Sequence, residues 1–246
     1  MWSALVLSIP AASLPLQKLP PPTTMPISAP RSAVSLIALQ KDSSVSGSIP
    51  EGLSPERASP ESFKRILISQ LGRFSQSGAQ CFNDMDMLTV GMFGKGNVGV
   101  KGCNAADYRS QFALWCLCGV PLMLGCDVRS IDAETLSLVK NEKLIAIDQD
   151  AECRQPMFLG VPERDKTVTV FRLLDSGRYA LGLFNFDERD REMSLTFSDV
   201  GLNAASGLGF EFDNVLGEIG GRYAEYVRVK VPARDCAVAI AKAVQL

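Results

Sequence analysis

Three segments between Cys81 and Asp150 carry most of the information about the fold: CFNDMDML at 81–88, YRSQFALWCLCGVPLMLGCDVR at 108–129 and NEKLIAIDQD at 141–150. Its strongly apolar middle, Ala105–Cys118, predicts a helix with Asn104 as its cap and Gly119 at its end. Cys81–Phe82 and Leu122–Leu124 are apolar runs too short for helices, and they fit strands buried in a sheet. Because helices and strands alternate, we expect parallel strands joined by crossover helices.

The flanking sequence extends this pattern and then changes it. Apolar residues at helical spacing over 63–71 predict an amphipathic helix, and Ser130 or Asp132 would cap a further helix over Ala133–Val139. From Pro156 onward the apolar residues alternate with a period of two and are separated by turn residues. This second pattern predicts an antiparallel β domain of the meander or Greek-key kind.

The N-terminal part has a different composition from the rest. Residues 10–60 hold ten of the fourteen prolines, with many Ser and Thr, which predicts a disordered segment. The sequence therefore predicts three parts: a Pro/Ser-rich segment over 1–60, α/β units over 61–155 and a β domain over 156–246.

Charge, histidine and cysteine content narrow the class of function. A net charge of −2 with no concentrated basic run makes a nucleic-acid partner unexpected. The absence of histidine excludes Ser–His and Cys–His nucleophiles and histidine-dependent zinc sites. Met1–Ile9 is too short to span a bilayer and lacks the basic flank of a signal peptide, so no membrane association is expected. Seven cysteines without CxxC spacing suggest thiols in a reducing compartment and favour a cytoplasmic location.

Polar residues gather next to the two predicted strands, where parallel sheets carry their ligands. Asn83, Asp84 and Asp86 adjoin the first strand, and Asp127 and Arg129 follow the second. One interpretation is a carboxylate site for sugar hydroxyls or a cation. The other, which these residues alone favour, is that Asp84 caps a turn and Asp86 pairs with an arginine. Asp127 and Arg129 are expected mainly to order their loop by a charge-assisted bond.

Two further features have a structural interpretation. Trp115 lies on an apolar helix and is expected in the core rather than under a sugar. The glycines over 91–102 lack the strand-to-helix context of a phosphate-binding loop and are interpreted as an ordinary loop.

The three segments together resemble the C-terminal half of the α-galactosidases of glycoside hydrolase family 27. That family shows WNDPDML, YRSHFxLW, PLxxGxDxR and NxxVIAxNQD in the same order. The resemblance implies the last units of a (β/α)8 (TIM) barrel followed by an antiparallel β-sandwich domain. It also implies hydrolysis of terminal non-reducing α-D-galactosyl residues by a retaining mechanism with two aspartates, without metal or organic cofactor. By this match Asp86 and Met87 would bind substrate. The residues that would support the site are Asn83, Asp84, Asp127 and Arg129.

The resemblance also shows what the sequence lacks. Neither the KxD motif of the family's nucleophile nor the RxxxDI motif of its acid/base is present, so no catalytic residue is assigned. Residues 61–150 suffice for about three barrel units, whereas a whole barrel takes about 250 residues. The chain therefore has the pattern of a truncated, catalytically incomplete copy. Smaller departures are Phe82 for Trp, Met85 for Pro and Gln111 for His.

Two functions stay open at this point. The first is part of an α-galactosidase that binds α-galactoside saccharides. The rival is a non-catalytic carbohydrate-binding or interaction protein that uses its β domain. The apolar faces of Leu122–Leu124 and Ala113–Leu117 need a cover, which either a second copy of the chain or missing sequence would supply, so a homo-oligomer is one expectation.

Overall fold

The computed structural model describes residues 60–73, 76–79, 81–95, 103–160 and 164–246. The predicted disordered segment lies outside these residues up to position 59, and so do positions 96–102 of the glycine-containing loop. The described helices are α1 (Pro60–Gln70), α2 (Ala105–Cys118), α3 (Ala133–Val139) and α4 (Glu142–Asp148). The first three are predicted from the sequence, and α4 is not.

Helix α2 has a defined start and end because both termini are capped. The side chain of Asn104 accepts a hydrogen bond from the amide of Asp107 at 2.9 Å, and the Asp107 carboxylate accepts one from the amide of Asn104 at 2.9 Å. Gly119 adopts the left-handed conformation with φ 62° and ψ 48° and ends the helix. Every residue from Asp107 to Cys118 except Arg109 is buried. A helix buried on nearly all sides fits this central position.

Two extended segments beside α2 lie parallel to each other. Leu88 and Leu124 form a parallel bridge, in which the amide of Leu88 donates to Met123 O at 2.7 Å and the amide of Gly125 donates to Leu88 O at 2.9 Å. The predicted parallel arrangement is confirmed. The predicted position of the first strand is wrong, because Phe82 is 63% exposed and the parallel pairing occurs six residues later, where the side chain is buried.

The C-terminal part is antiparallel throughout, as predicted. Its strands are β1 (Met157–Leu159), β2 (Thr167–Leu173), β3 (Arg178–Asn185), β4 (Arg191–Thr196), β5 (Leu208–Leu216), β6 (Gly221–Tyr223), β7 (Tyr226–Val231) and β8 (Cys236–Gln245). The larger sheet has the order β1-β2-β3-β8-β5-β6, and the smaller one pairs β4 with β7. The sequence predicts β2, β3, β4, β7 and β8 but not β1, β5 and β6.

Two cores explain the strand patterns. The first lies between the helices and one face of the larger sheet, which contributes Val168, Val170, Ala180, Phe184, Cys236 and Val238. The second lies between the two sheets and includes Phe171, Leu181, Leu183, Met193, Leu195, Val227 and Val229. Because the larger sheet is covered on both faces, β3 is buried from Ala180 to Asn185. Strands β4 and β7 alternate between buried and exposed residues because one of their faces meets solvent.

The sequence also makes predictions about membrane segments and about the cysteine thiols. No helix of the described residues is long and apolar enough to cross a membrane. No disulfide joins the seven cysteines, all of which lie in the described part, and four of them are buried. Cys116 and Cys118 are enclosed in the first core, where a free cysteine packs as a small apolar side chain.

Candidate functional site

The candidate site is a surface formed by the residues around the Leu88–Leu124 bridge. Met87 connects its two segments, because a Cβ added to Gly125 would lie 2.9 Å from Met87 Sδ and 3.1 Å from Leu88 O. Glycine therefore permits the close approach of the two chains at this point. The structure thus brings Asp86 and Met87 next to the segment that leads to Asp127.

Asp86 has the most constrained backbone of the site. Its φ is +66°, in the left-handed region that non-glycine residues rarely adopt. Its amide donates to Asp84 Oδ1 at 2.8 Å, and its own Oδ1 accepts from the amide of Met87 at 2.7 Å. Its carbonyl accepts a hydrogen bond from Trp115 Nε1 at 3.0 Å. These three bonds hold the turn while the Asp86 side chain stays exposed.

The contacts of Asp84 and Asp86 bear on the two interpretations made from sequence. The Asp84 carboxylate accepts from a backbone amide two residues later, which agrees with a turn cap. Among the salt bridges between described residues, none joins Asp86 to an arginine. Asp86 therefore presents carboxylate oxygen to solvent rather than to a cation of the described chain.

Asn83 precedes this turn and anchors it to the preceding loop. Its amide donates to Ser77 Oγ at 3.1 Å. Its side-chain Nδ2 is buried and has no hydrogen-bond partner among the described residues. A buried donor without an acceptor costs about 1–3 kcal/mol, so this atom has unused hydrogen-bonding capacity beside the site.

Helix α2 supports the site through two side chains that the sequence did not indicate as functional. Gln111 Oε1 accepts from both the amide and the hydroxyl of Thr89, each at 3.0 Å. Trp115 is fully buried in the first core, as predicted, and also holds the carbonyl of Asp86. The signal available in the sequence was chemical: a buried indole N–H normally finds an acceptor.

Asp127 and Arg129 form a pair of their own on the neighbouring loop. Arg129 donates from Nε to Asp127 Oδ1 and from Nη2 to Oδ2, both at 2.9 Å. The Arg129 amide also donates to Asp127 Oδ1 at 3.1 Å, which caps the short 3-10 turn Val128–Ser130. The hydrogen bond from Arg129 lowers the pKa of Asp127 to about 2. These contacts agree with the predicted loop-ordering role.

The surface around these polar groups is apolar. Phe82, Met87, Phe93 and Val128 are exposed large hydrophobic residues on the two segments and their loops. Phe82 stands where the family pattern has Trp. At the two other differences from that pattern, Met85 in place of Pro is buried, and Gln111 in place of His makes the two hydrogen bonds to Thr89. Exposed carboxylates beside apolar side chains can bind a sugar, because its hydroxyls donate hydrogen bonds and its C–H face packs on apolar atoms.

Other candidate sites are less developed. A cavity of about 300 Å³ lies between α2, α3 and the end of β5, and is lined by residues that include Tyr108, Arg109, Glu134 and Asn141. Arg109 is already bonded to Glu134 at 3.0 Å, and the Asn141 side chain caps α4. No group of three or more Cys, Asp or Glu residues suited to a metal ion occurs in the part of the chain that the structure describes.

Comparison with known proteins gives one consistent result. The family described as alpha galactosidase A matches residues 66–150. An alpha-galactosidase of Oryza sativa subsp. japonica is 33% identical over 131 residues, which are 51% of this chain and 28% of the relative. An alpha-galactosidase of Coffea arabica is 36% identical over 111 residues, 43% of this chain and 27% of the relative. The chain spans less than a third of the length of these two relatives.

Solved structures show the same relationship at the level of the fold. Alpha-galactosidase I from Mortierella vinacea has a TM-score of 0.62 at 22% identity, over 73% of this chain and 44% of that one. A GH27 β-L-arabinopyranosidase from Geobacillus stearothermophilus has a TM-score of 0.63 at 18% identity, over 74% of this chain and 42% of that one. The predicted fold class is confirmed: part of a (β/α)8 barrel followed by an antiparallel β-sandwich.

Proposed function

We propose that this chain, whose residues 66–150 match the family described as alpha galactosidase A, supplies one wall of a galactoside-binding pocket without the pair of carboxylates that hydrolysis requires. The observation that carries the proposal is the turn at Asp86. A left-handed, triply hydrogen-bonded turn keeps one carboxylate exposed beside Met87 and the second segment. Backbone strain held by surrounding structure is a feature of binding sites.

The site residues take distinct roles in this proposal. The Asp86 carboxylate accepts hydrogen bonds from sugar hydroxyls, and Met87 packs on the apolar face of the ring. Asn83 and Asp84 position that turn. Asp127 and Arg129 shape the loop on the other side of the pocket. The ligand is an α-galactoside saccharide, and no metal or organic cofactor takes part in binding.

Hydrolysis needs more than this wall. A retaining glycosidase places two carboxyl groups about 5 Å apart on either side of the scissile bond. Asp84 and Asp86 lie on the same turn, and each accepts a backbone amide there. The sequence contains neither catalytic motif of the family. We therefore expect the chain by itself to bind galactosides but not to cleave them.

The proposal assigns a supporting role to the C-terminal part. We propose that residues 61–155 form the barrel portion and residues 156–246 a β domain that holds α2 in place. Arg109 on α2 donates to both carboxylate oxygens of Asp235, at 3.1 and 2.6 Å. Because α2 also bonds Asp86 and Thr89, the β domain supports the binding wall through this helix.

Galactose titration of the isotope-labelled chain, followed by amide NMR, tests the proposal. We expect concentration-dependent shifts at the amides of Asp86 and Met87, and their loss in Asp86→Asn. Asp199→Asn, at an exposed acid of the β domain, is the matched control and should keep the shifts. Shifts confined to residues 156–246 would favour the rival carbohydrate-binding function, and no shifts at saturating sugar would reject binding.

A further inference from the structure

A partly buried acid on α4 and a buried base on β2 interact electrostatically without forming an ion pair. Asp148 is the last residue of α4, and its Oδ1 is buried with no hydrogen-bond partner among the described residues. Arg172 on β2 is only 2% exposed, and its Nε is likewise buried without a partner there. Each side chain therefore has an unused atom whose hydrogen-bonding capacity complements that of the other.

The rest of the Arg172 side chain is engaged at the end of α2. Its Nη1 donates to Leu117 O at 3.3 Å and to Cys116 O at 3.2 Å, both carbonyls of the last turn of α2, and Cys116 O also accepts from the amide of Gly119 at 3.2 Å. A Cβ at Gly119 would lie 3.0 Å from Nη1, 3.1 Å from Nη2 and 3.3 Å from Cζ. A cation at a helix C-terminus is favourable, so Arg172 links the larger sheet to α2.

The other titratable groups around the pair do not take over the role of Asp148. The groups that interact electrostatically with it or with Arg172 are the Asp150 carboxylate and the thiols of Cys116, Cys118 and Cys153. Asp150 accepts the amide of Asp175 at 2.9 Å and that of Glu152 at 3.2 Å, so its oxygens are engaged. Burial raises the pKa of Cys116 and brings that of Cys118 to about 12, which keeps both thiols neutral near pH 7.

The acid is a feature of this chain rather than of the sequence pattern it resembles. In NxxVIAxNQD the residue before Gln-Asp is asparagine, whereas this chain reads NEKLIAIDQD and has Asp148 at that position. An amide cannot ionise, and a carboxyl can. Burial raises the pKa of Asp148 to about 7, with the positive charge of Arg172 opposing that rise.

We propose that Asp148 is a proton-controlled contact between α4 and β2. When neutral, it leaves the Arg172 guanidinium on the C-terminal carbonyls of α2. When ionised, it attracts Nε of Arg172 toward its free Oδ1 and weakens that cap. The packing of the helices on the larger sheet is thereby firmer in mildly acidic solution than in alkaline solution.

The direction of the pH dependence follows from linkage. A carboxyl whose pKa is higher in the folded chain than in the unfolded chain binds more protons when folded. Stability is then greatest at low pH and decreases as the pH rises from the unfolded pKa of about 3.9 through the folded pKa. The chain contains no histidine, so few other groups titrate near neutrality. Burial also raises the pKa of Asp107. This second acid therefore contributes to the pH dependence of stability in the same direction as Asp148.

Thermal unfolding between about pH 5.5 and pH 8.5 tests the proposal on the full chain. We expect the Tm of the wild type to fall across this range and that of Asp148→Asn to stay level. The variant should already have the higher Tm at the acidic end, because the unfolded carboxyl is ionised there, and its advantage should grow by roughly 5 °C toward the alkaline end. Glu142→Gln, at an exposed acid on the same helix, should keep the wild-type slope.

A second measurement needs no variant. Carboxyl-carbon NMR of the wild type should give an Asp148 titration midpoint near pH 7, and the Arg172 Nε–H signal should move with the same midpoint. An Asp148 midpoint below about pH 5, or a stability slope as steep in Asp148→Asn as in the wild type, would overturn the proposal.

Discussion

Among single residues, the candidate site depends on a side chain outside the segment that carries Asp86 and Met87. Asp86 adopts a left-handed conformation, which costs a non-glycine residue of the order of 1 kcal/mol. Trp115 offsets part of this cost from α2, since its indole N–H donates to Asp86 O at 3.0 Å. The backbone of the turn that carries the proposed binding carboxylate is therefore held by a fully buried residue 29 positions away in the sequence.

Trp115→Phe should weaken galactose binding by roughly tenfold, which corresponds to about 1.4 kcal/mol. The change keeps an aromatic ring in the core but removes the donor to Asp86 O. A lost hydrogen bond of this kind costs about 1 kcal/mol of folding free energy. Galactose affinity from NMR titration and urea unfolding measure the two effects separately.

Tyr108→Phe is the matched control on the same helix. It removes a hydroxyl that accepts from the amide of Phe93 at 2.7 Å and makes no hydrogen bond to Asp86. We expect a similar loss of stability with unchanged galactose affinity. Equal losses of affinity in both variants would mean that the indole contact has no specific role.

At the scale of elements, the N-terminal part of α2 is joined to the turn between β7 and β8 by two ion pairs. Arg109 binds Asp235, and Asp107 accepts from Arg234 Nε at 2.9 Å and Nη2 at 2.5 Å. Asp107 is fully buried, and Arg234 has φ +61°. The turn is thus shaped to meet the helix, and the pairs hold the barrel portion on the β domain.

Asp107→Ala should destabilise the chain by about 3 kcal/mol, because it leaves the Arg234 guanidinium without its partner and removes half of the capping box. Urea unfolding monitored by circular dichroism measures this cost. Arg222→Ala, which removes an exposed pair with Glu211, should cost less than about 1 kcal/mol. If both substitutions have the same small effect, the contact at α2 does not hold the two portions together.

Local signals in the sequence are enough to predict α2, β4 and β7. Asn104 and Gly119 mark α2, and the alternation in β4 and β7 reports one solvated face. Strands β1 and β6 have three residues each and are too short to show a period. Strand β5 was missed although Phe210 and Phe212 alternate with acids, since its pairing with β8 is non-local.

The sequence predicts which residues form the candidate site but not the tertiary contacts that hold them in place. The motif resemblance indicates Asp86 and Met87, and the local contacts of Asp84 and Asp127 follow from short sequence separations. The support from Trp115 and the contact of Met87 at Gly125 depend on tertiary packing, which no local pattern reports. The strand placed at Cys81–Phe82 was wrong for the same reason, because an apolar run does not show where pairing occurs.

At the scale of the whole molecule, the described residues form three layers: helices, a six-stranded sheet and a two-stranded sheet. The chain matches less than a third of the length of the rice and coffee enzymes. Phe82, Met87 and Phe93, on the segment that carries the proposed pocket wall, are exposed. A homo-oligomer that covers this surface stays a prediction, and sedimentation of the chain at several concentrations would test it.

We propose a galactoside-binding wall that lacks the opposing carboxylates. The most direct measurement is the release of aryl alcohol from an aryl α-galactoside by the purified, folded chain. We predict a rate no higher than in buffer, and the same rate for Asp86→Asn. Release by the wild type that Asp86→Asn abolishes would contradict the claim, because it would mean that the chain contains a complete catalytic pair.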